Sequence, residues 1–207
     1  MDIEMDRLSS GASYKLLTAL VVPRPIAWIS TLHLDGRVNL APYSFFNVLG
    51  NRPPVVAFGP GYKTDGSTKD TAANAERSGE FVINMVDPSL VAPMHQSAAP
   101  YPADVSEAEL LGIEMVASHT LRTPGVRASR VRLECAFERR LVIGENQILF
   151  GLVRHMYAED GLLDPQTLHL APQAFTGVGR LQGPGWYCTT SDQFDLGAFP
   201  RAPEQKA

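Results

Sequence analysis

Residues 22–31, Val22-Pro23-Arg24-Pro25-Ile26-Ala27-Trp28-Ile29-Ser30-Thr31, and residues 39–47, Asn39-Leu40-Ala41-Pro42-Tyr43-Ser44-Phe45-Phe46-Asn47, decide how this chain is read. Pro23 and Pro25 fix φ and bias the residues before them to extended backbone, so the first stretch enters a strand and not a helix. Ile26, Trp28 and Thr31 suit a pleated, half-buried surface. Asp35-Gly36 supplies the turn at which the chain reverses into the second stretch. The result is a hairpin whose far arm carries Pro42, Ser44 and Asn47 in an apolar frame. Proline donates nothing to a ladder, so this arm is expected to bulge or leave the sheet at Pro42. Backbone groups freed there, with Ser30, Thr31, Ser44 and Asn47 nearby, suit a grip on a flat polar ring. The same residues also fit an edge hairpin with polar residues at its end.

Before the hairpin, residues 9–20 open with Ser and Gly and space Tyr14, Leu16, Leu17 and Leu20 as a short helix would. After it, Pro53-Pro54 leads into Val55-Val56-Ala57-Phe58, a buried-type strand ended by Gly59-Pro60-Gly61. A polar loop at 62–68 delivers the chain to residues 69–77, which read as a helix with Asp70 as N-cap, Thr68 as the alternative cap and Gly79 as the stop. The N-terminus of such a helix exposes unpaired N–H groups that suit a phosphate. Lys69 adds a full positive charge and Thr71 a hydroxyl. Asp70 would repel a phosphate, so its carboxylate is expected to turn back onto backbone N–H groups. A capped surface helix with a solvated lysine is the plainer reading.

Residues 80–86 are the next strand, and Pro88 begins a short helix reaching Met94 and Gln96. Ser106-Glu107-Ala108-Glu109 is a capping-box pattern before Leu110 and Leu111. Val131, Leu133, Cys135 and Phe137 alternate with polar residues as one half-buried antiparallel strand, and Cys135 reads there as a small buried hydrophobe. Glu145-Asn146 marks the return, and residues 148–156 are apolar on both faces, as in an interior strand. Many strands joined by short turns, with helices as inserts, predict a mainly β chain: a small antiparallel barrel with α insertions. Gly177-Val178-Gly179-Arg180-Leu181 lacks the third glycine of a dinucleotide fingerprint, so a Rossmann domain is not supported.

The 207 residues are read as one domain, 1–207, with a loose tail from about Gly197. Hydrophobic content of 44% and charged content of 19% fit a soluble globule. A net charge of −4 argues against a nucleic-acid partner. No run is long enough to span a bilayer, and the acidic start at residues 1–6 does not resemble a targeting signal, so a cytoplasmic location is expected. Cys135 and Cys188 are too few for a disulfide scaffold; Cys188, beside Tyr187 and Thr189, is a redox thiol or a plain side chain. His33, His95, His119, His155 and His169 show no ligand spacing, so no metal is expected.

The linked motifs PRPIAWIST (23–31), DG (35–36), NLAPYSFFN (39–47), PPVVAF (53–58), KDTAAN (69–74) and GEFVINMV (79–86) resemble the flavin reductase-like family with the FMN-binding split-barrel fold. The branch with flavoredoxin-type proteins and the flavin-supplying components of two-component monooxygenases is the most similar, with a weaker echo at 177–181 and Tyr187. The resemblance implies an antiparallel split β-barrel holding FMN at the interface of a homodimer. Ser30 and Thr31 would approach the flavin from one strand. Ala41, Pro42, Tyr43, Ser44 and Asn47 would line the ring and ribityl chain, and Lys69, Asp70 and Thr71 would mark the phosphate. Arg24 would reach the ring's polar edge or pair with an acid; Trp28 is read as core.

The implied chemistry is hydride transfer from NADH or NADPH to flavin N5, which needs positioning and dryness more than an acid or base, so no dedicated catalytic residue is expected. One departure bears on it. Many reductases of the wider family carry Gly-Asp-His in a late strand turn, where this chain has Gly144-Glu145-Asn146-Gln147. Three readings stand: an NAD(P)H-dependent FMN reductase serving a flavin-dependent monooxygenase, an FMN-bearing electron carrier of flavoredoxin type, and a non-catalytic flavin-binding module.

Overall fold

Ser9 starts α1 (Ser10–Leu20), its Oγ accepting from the Ala12 N–H at 3.3 Å. The computed structural model describes residues 1–197, and the tail expected from about Gly197 falls, beyond that residue, outside the described residues. Only Thr18 of α1 is buried, and Tyr14, Leu17 and Leu20 stay exposed. The short β1 (Arg24–Pro25) follows, then β2 (Ala27–Leu32) and β3 (Val38–Tyr43), which pair antiparallel from Ala27–Tyr43 to Leu32–Val38. Asp35 and Gly36 (φ 86°) make the turn as expected, with the Asp35 carboxylate accepting from the Arg37 N–H at 3.1 Å.

The bulge expected at Pro42 is absent. Pro42 sits opposite Trp28 in an unbroken ladder. β3 is an edge strand, and its Leu40 N–H points away from β2 to the Glu107 carboxylate at 2.9 Å. Pro42, two residues on, turns its nitrogen the same way, so its missing donor is lost to the open edge and not to the ladder.

β4 (Phe46–Asn51), β5 (Pro54–Phe58), β6 (Glu80–Met85), β9 (Val131–Ile143) and β10 (Asn146–Ala158) complete a seven-stranded antiparallel sheet ordered β3-β2-β6-β9-β10-β5-β4. β3 and β4 lie at its opposite edges, yet only Ser44 and Phe45 separate them, a span of at most about 11 Å. The sheet must curl until its edges nearly meet. This is a split β-barrel, and we call the Ser44–Phe45 crossing the seam. Gly151 in β10 lets the Phe81 ring lie against the barrel wall, where an added Cβ would meet Phe81 Cε1 at 2.9 Å.

β2 is buried on both faces. Ala27 and Ile29 join Phe58, Phe81, Leu133, Cys135 and Leu149 inside the barrel, with Ala72 and Ala75 of α2 (Asp70–Ser78). Trp28 faces the other way, packing with Leu40, Val86, Met94, Ala108 and Val178. That outer core is covered by α3 (Val91–Gln96), α4 (Glu107–Leu110), β7 (Met115–Val116), β8 (Gly125–Val126), β11 (Val178–Arg180) and β12 (Tyr187–Thr189). Trp28 is core, as read, its Nε1 donating to Ser97 Oγ at 2.9 Å. Pro88 opens a 3-10 turn into α3, and Ser106 caps α4.

Residues 117–124, between β7 and β8, form a strap across β6 and β9. Glu134, expected on a solvated face, is 4% exposed because it accepts from the His119 N–H (2.6 Å), the Thr120 N–H (2.7 Å) and the Thr120 hydroxyl (2.5 Å). Glu80 accepts from the Thr123 N–H and hydroxyl at 2.8 and 2.9 Å. Among the described residues no helix is long and apolar enough to cross a membrane, and no group of three metal-ligating side chains converges.

Candidate functional site

A cavity of about 1000 Å³ opens at the seam. Its walls come from β1, residues 42–47, the end of β5 through Gly61, and the β9–β10 turn, with Tyr14 of α1 and Val21 just after it at one side. Pro42, Phe45, Ala57 and Ile148 give it apolar walls. The Gly59 N–H donates to the Phe45 carbonyl at 2.7 Å, which fixes the seam to the end of β5.

Of the ten residues expected at the site, Pro42, Tyr43, Ser44, Asn47 and Lys69 line this cavity; Ser30, Thr31, Ala41, Asp70 and Thr71 do not. Ser30 is fully buried on the outer-core side, donating to the Pro124 carbonyl at 2.6 Å and accepting from Asn84 at 3.3 Å. Thr31 is equally buried on the barrel side, accepting from Asn39 (3.2 Å) and Asn74 (3.3 Å). Thr71 accepts from Asn39 (2.8 Å) and the Tyr43 hydroxyl (2.9 Å). These bonds lock the start of α2 against β2 and β3. They make Thr31 and Thr71 positioning residues. Burial pushes the Tyr43 phenol well above its ordinary pKa, so it stays a neutral donor. Ala41 packs against the barrel core.

The expectation for Asp70 is corrected. Lys69, not Asp70, occupies the N-cap position (φ −64°, ψ 149°), and no side chain caps the helix. The Asp70 carboxylate is instead drawn outward to Lys63 Nζ at 2.9 Å, a competitor that local spacing does not reveal. Lys69 is half-buried, its Nζ 5.7 Å from the Tyr43 ring centroid. Among the described residues it pairs with no carboxylate. Burial holds its pKa below the usual lysine value.

Two wall groups were not anticipated. Gln147 is 1% exposed; its Nε2 donates to the Gly61 carbonyl at 2.6 Å, while Oε1 is buried with no partner. Its signal was a lone amide opening an apolar run. Gly59-Pro60-Gly61, read only as a strand terminator, forms the wall that Gln147 holds. Among the described residues Arg24 pairs with no acid: it donates to the carbonyls of Thr18 (2.7 Å), Val21 (3.0 Å) and Leu181 (2.9 Å), and its Nε lies 3.5 Å from Ser44 Oγ. It clamps α1, β1 and the seam together.

A cavity with apolar walls, an orphaned acceptor in one of them, and a half-buried cation unpaired among the described residues beside an uncapped helix start fit an apolar heteroaromatic that carries a phosphate. FMN has that chemistry.

Comparison with known proteins bears on the same point. Residues 19–179 match the model of the flavin reductase like domain. An uncharacterized protein of Deinococcus radiodurans is 41% identical, covering 98% of this chain and 92% of its own. The crystal structure of nitrilotriacetate monooxygenase component B from Bacillus cereus superposes with a TM-score of 0.89 at 31% identity, covering 95% of this chain and 98% of that one. That of the 2-nitrobenzoate 2-nitroreductase NbaA from Pseudomonas fluorescens gives 0.89 at 31% identity over 100% of both chains. Shared sequence over most of the length, with the curled sheet and its seam cavity, places this chain in the flavin reductase-like family.

Proposed function

We propose that the protein is an FMN-dependent oxidoreductase that takes hydride from NADH or NADPH and passes reduced flavin, or its electrons, to a partner. The observation that carries this reading is Lys69: a half-buried cation with no acid partner among the described residues, at an uncapped helix start, in the wall of a largely apolar cavity. Desolvating a charge without a partner is unfavourable, so its placement makes sense when an anion completes it. Lys69 and the first turn of α2 would hold the phosphate, Ser44 and Gln147 would orient the ring, and Pro42 and Phe45 would exclude water from its face. When bound, FMN supplies the redox chemistry, accepting a hydride at N5 and passing on two electrons.

The Bacillus cereus relative is a monooxygenase component, which supports an oxygenase as the consumer of reduced flavin here. The Pseudomonas relative, a nitroreductase, supports a second reading in which a small arene enters the apolar slot and is reduced in place. A homodimer belongs to either reading. Leu49 of the cavity wall is 58% exposed and its chain neighbour Val48 62%, apolar surface suited to a second copy of the chain.

Titration with FMN and with riboflavin, followed by flavin fluorescence, tests the proposal. FMN should bind more tightly than riboflavin, and the loaded protein should oxidise NADH or NADPH in the presence of excess flavin. Absence of a fluorescence change at saturating FMN would overturn it. Light scattering that gives a monomer with FMN bound would remove the dimer. Oxidation of reductant that requires a nitroarene and releases no flavin would select the second reading.

A further inference from the structure

α1 and the turn joining β11 to β12 enclose a second cavity of about 670 Å³, whose walls include Tyr14, Lys15, Thr18, Arg180 and Gly183. Tyr14 also lines the seam cavity, so the two hollows share this residue as a common wall. Two cations, Lys15 and Arg180, line the second one. Arg180 is half-buried, donates to the carbonyls of Gly183 (2.5 Å) and Trp186 (3.5 Å), and lies 4.8 Å from the Tyr187 ring centroid. Lys15 projects from α1 into the same hollow. Among the described residues neither pairs with a carboxylate. Arg24 stands near: burial lowers its pKa, Tyr14 opposes this, and the charge of Arg180 adds to the lowering.

The turn itself adds an aromatic surface. Gly183 (φ 65°) reverses the chain, and Trp186 is left 65% exposed beside it. The Gly183 Cα side lies against the Trp186 ring, where an added Cβ would sit in van der Waals contact at 3.6 Å, and the left-handed φ is what favours glycine here. Two unpaired cations and an exposed indole next to a hollow suit a base that carries phosphates, through charge-assisted hydrogen bonds and stacking.

We infer that this second cavity binds the adenosine diphosphate portion of the nicotinamide dinucleotide, with Arg180 and Lys15 on the phosphates and Trp186 against the adenine, while the nicotinamide passes Tyr14 into the seam cavity. The inference rests on the reading of the seam cavity as a flavin reductase site.

The test is calorimetric titration of the FMN-loaded protein with ADP-ribose, which has the diphosphate and adenosine but no redox function. Arg180→Gln and Lys15→Ala should each weaken ADP-ribose about tenfold, the loss of one charge-assisted contact, and raise KM for the reductant by a similar factor. Trp186→Ala should weaken it by a few-fold. FMN and riboflavin affinities should hold in all three. Lys15 is exposed, so its substitution reads the site even if Arg180→Gln disturbs the hairpin. No binding of ADP-ribose by the wild type, or equal binding by wild type and variants, overturns the inference. So does a drop in FMN affinity that riboflavin does not share, because the cations would then hold the flavin phosphate. If the protein takes up no FMN at all, the seam reading fails separately, and the same titration on the unloaded protein still decides whether ADP-ribose is held here.

Discussion

The strap over β9 and the seam cavity both bury polar groups, and they treat them in opposite ways. Under the strap, both oxygens of Glu134 are taken by backbone and hydroxyl donors, and Glu80 is taken by Thr123. At the seam, among the described residues, Lys69 has no acid, Gln147 Oε1 has no donor, and α2 has no side-chain cap. An unpaired buried polar group costs about 1–3 kcal/mol, and more when charged. Glu134 and Glu80, fully satisfied, hold the strap to the sheet, although His155 Nδ1 beside them is buried without a hydrogen-bond partner, 3.5 Å from Glu134 Oε1; what sets the seam apart is that its unmet groups line a cavity.

The contrast breaks or sharpens under substitution. Glu134→Ala strips an acceptor from two backbone N–H groups and a hydroxyl, so urea unfolding should show a loss of about 3 kcal/mol or more, with FMN affinity of the folded protein intact. A loss below about 1 kcal/mol would erase the distinction. Lys69→Ala should do the reverse. FMN affinity should fall about ten- to hundredfold, the equivalent of roughly 1.5–3 kcal/mol, with riboflavin affinity and the urea midpoint nearly unchanged. Since burial depresses the Lys69 pKa, its charge is lost early on raising the pH. FMN affinity should decline before the usual lysine value of about 10.4, and riboflavin affinity should not.

Gln147→Leu is a smaller step. Relief of the orphaned oxygen offsets the lost bond to Gly61, so stability should move by less than about 1 kcal/mol, while FMN affinity drops about three- to tenfold. The finest effect is in acid. Burial alone would raise the Glu134 pKa, but hydrogen bonds from Thr120 and from the backbone of His119 and Thr120 outweigh it, and the group sits below its ordinary value. A carboxyl depressed in the folded state stabilises above its unfolded pKa of about 4.3 and loses that contribution as the pH falls through the folded value. Urea midpoints of the wild type should therefore drop more steeply in acid than those of Glu134→Gln.

Local signals in the sequence carried much of this architecture. The Ser9 and Ser106 caps, the Asp35-Gly36 turn and the paired strands of β9 and β10 are short-range features, and each lies where the residues indicated. What required three dimensions was facing. Ser30 and Thr31 are neighbours on a strand and so point to opposite sides, which rules out a shared ring contact; with both faces of β2 buried, neither side chain is left for a ligand. Asp70 was lost as a cap to Lys63, seven residues upstream in a loop. Gln147 and Gly61 are 86 residues apart, and no periodicity connects them.

The seam has a mechanical consequence. The slot is bounded by the two edges of one sheet, and those edges are tied by a covalent leash of two residues, Ser44 and Phe45. Its aperture is set by chain length and not by packing alone, much as a drawstring sets the mouth of a bag. Lengthening the leash by two glycines would leave the edges held only by the contacts of Tyr43 and Phe46 with the barrel core and by the Gly59 bond to Phe45, and a pliable gap would replace a fixed one.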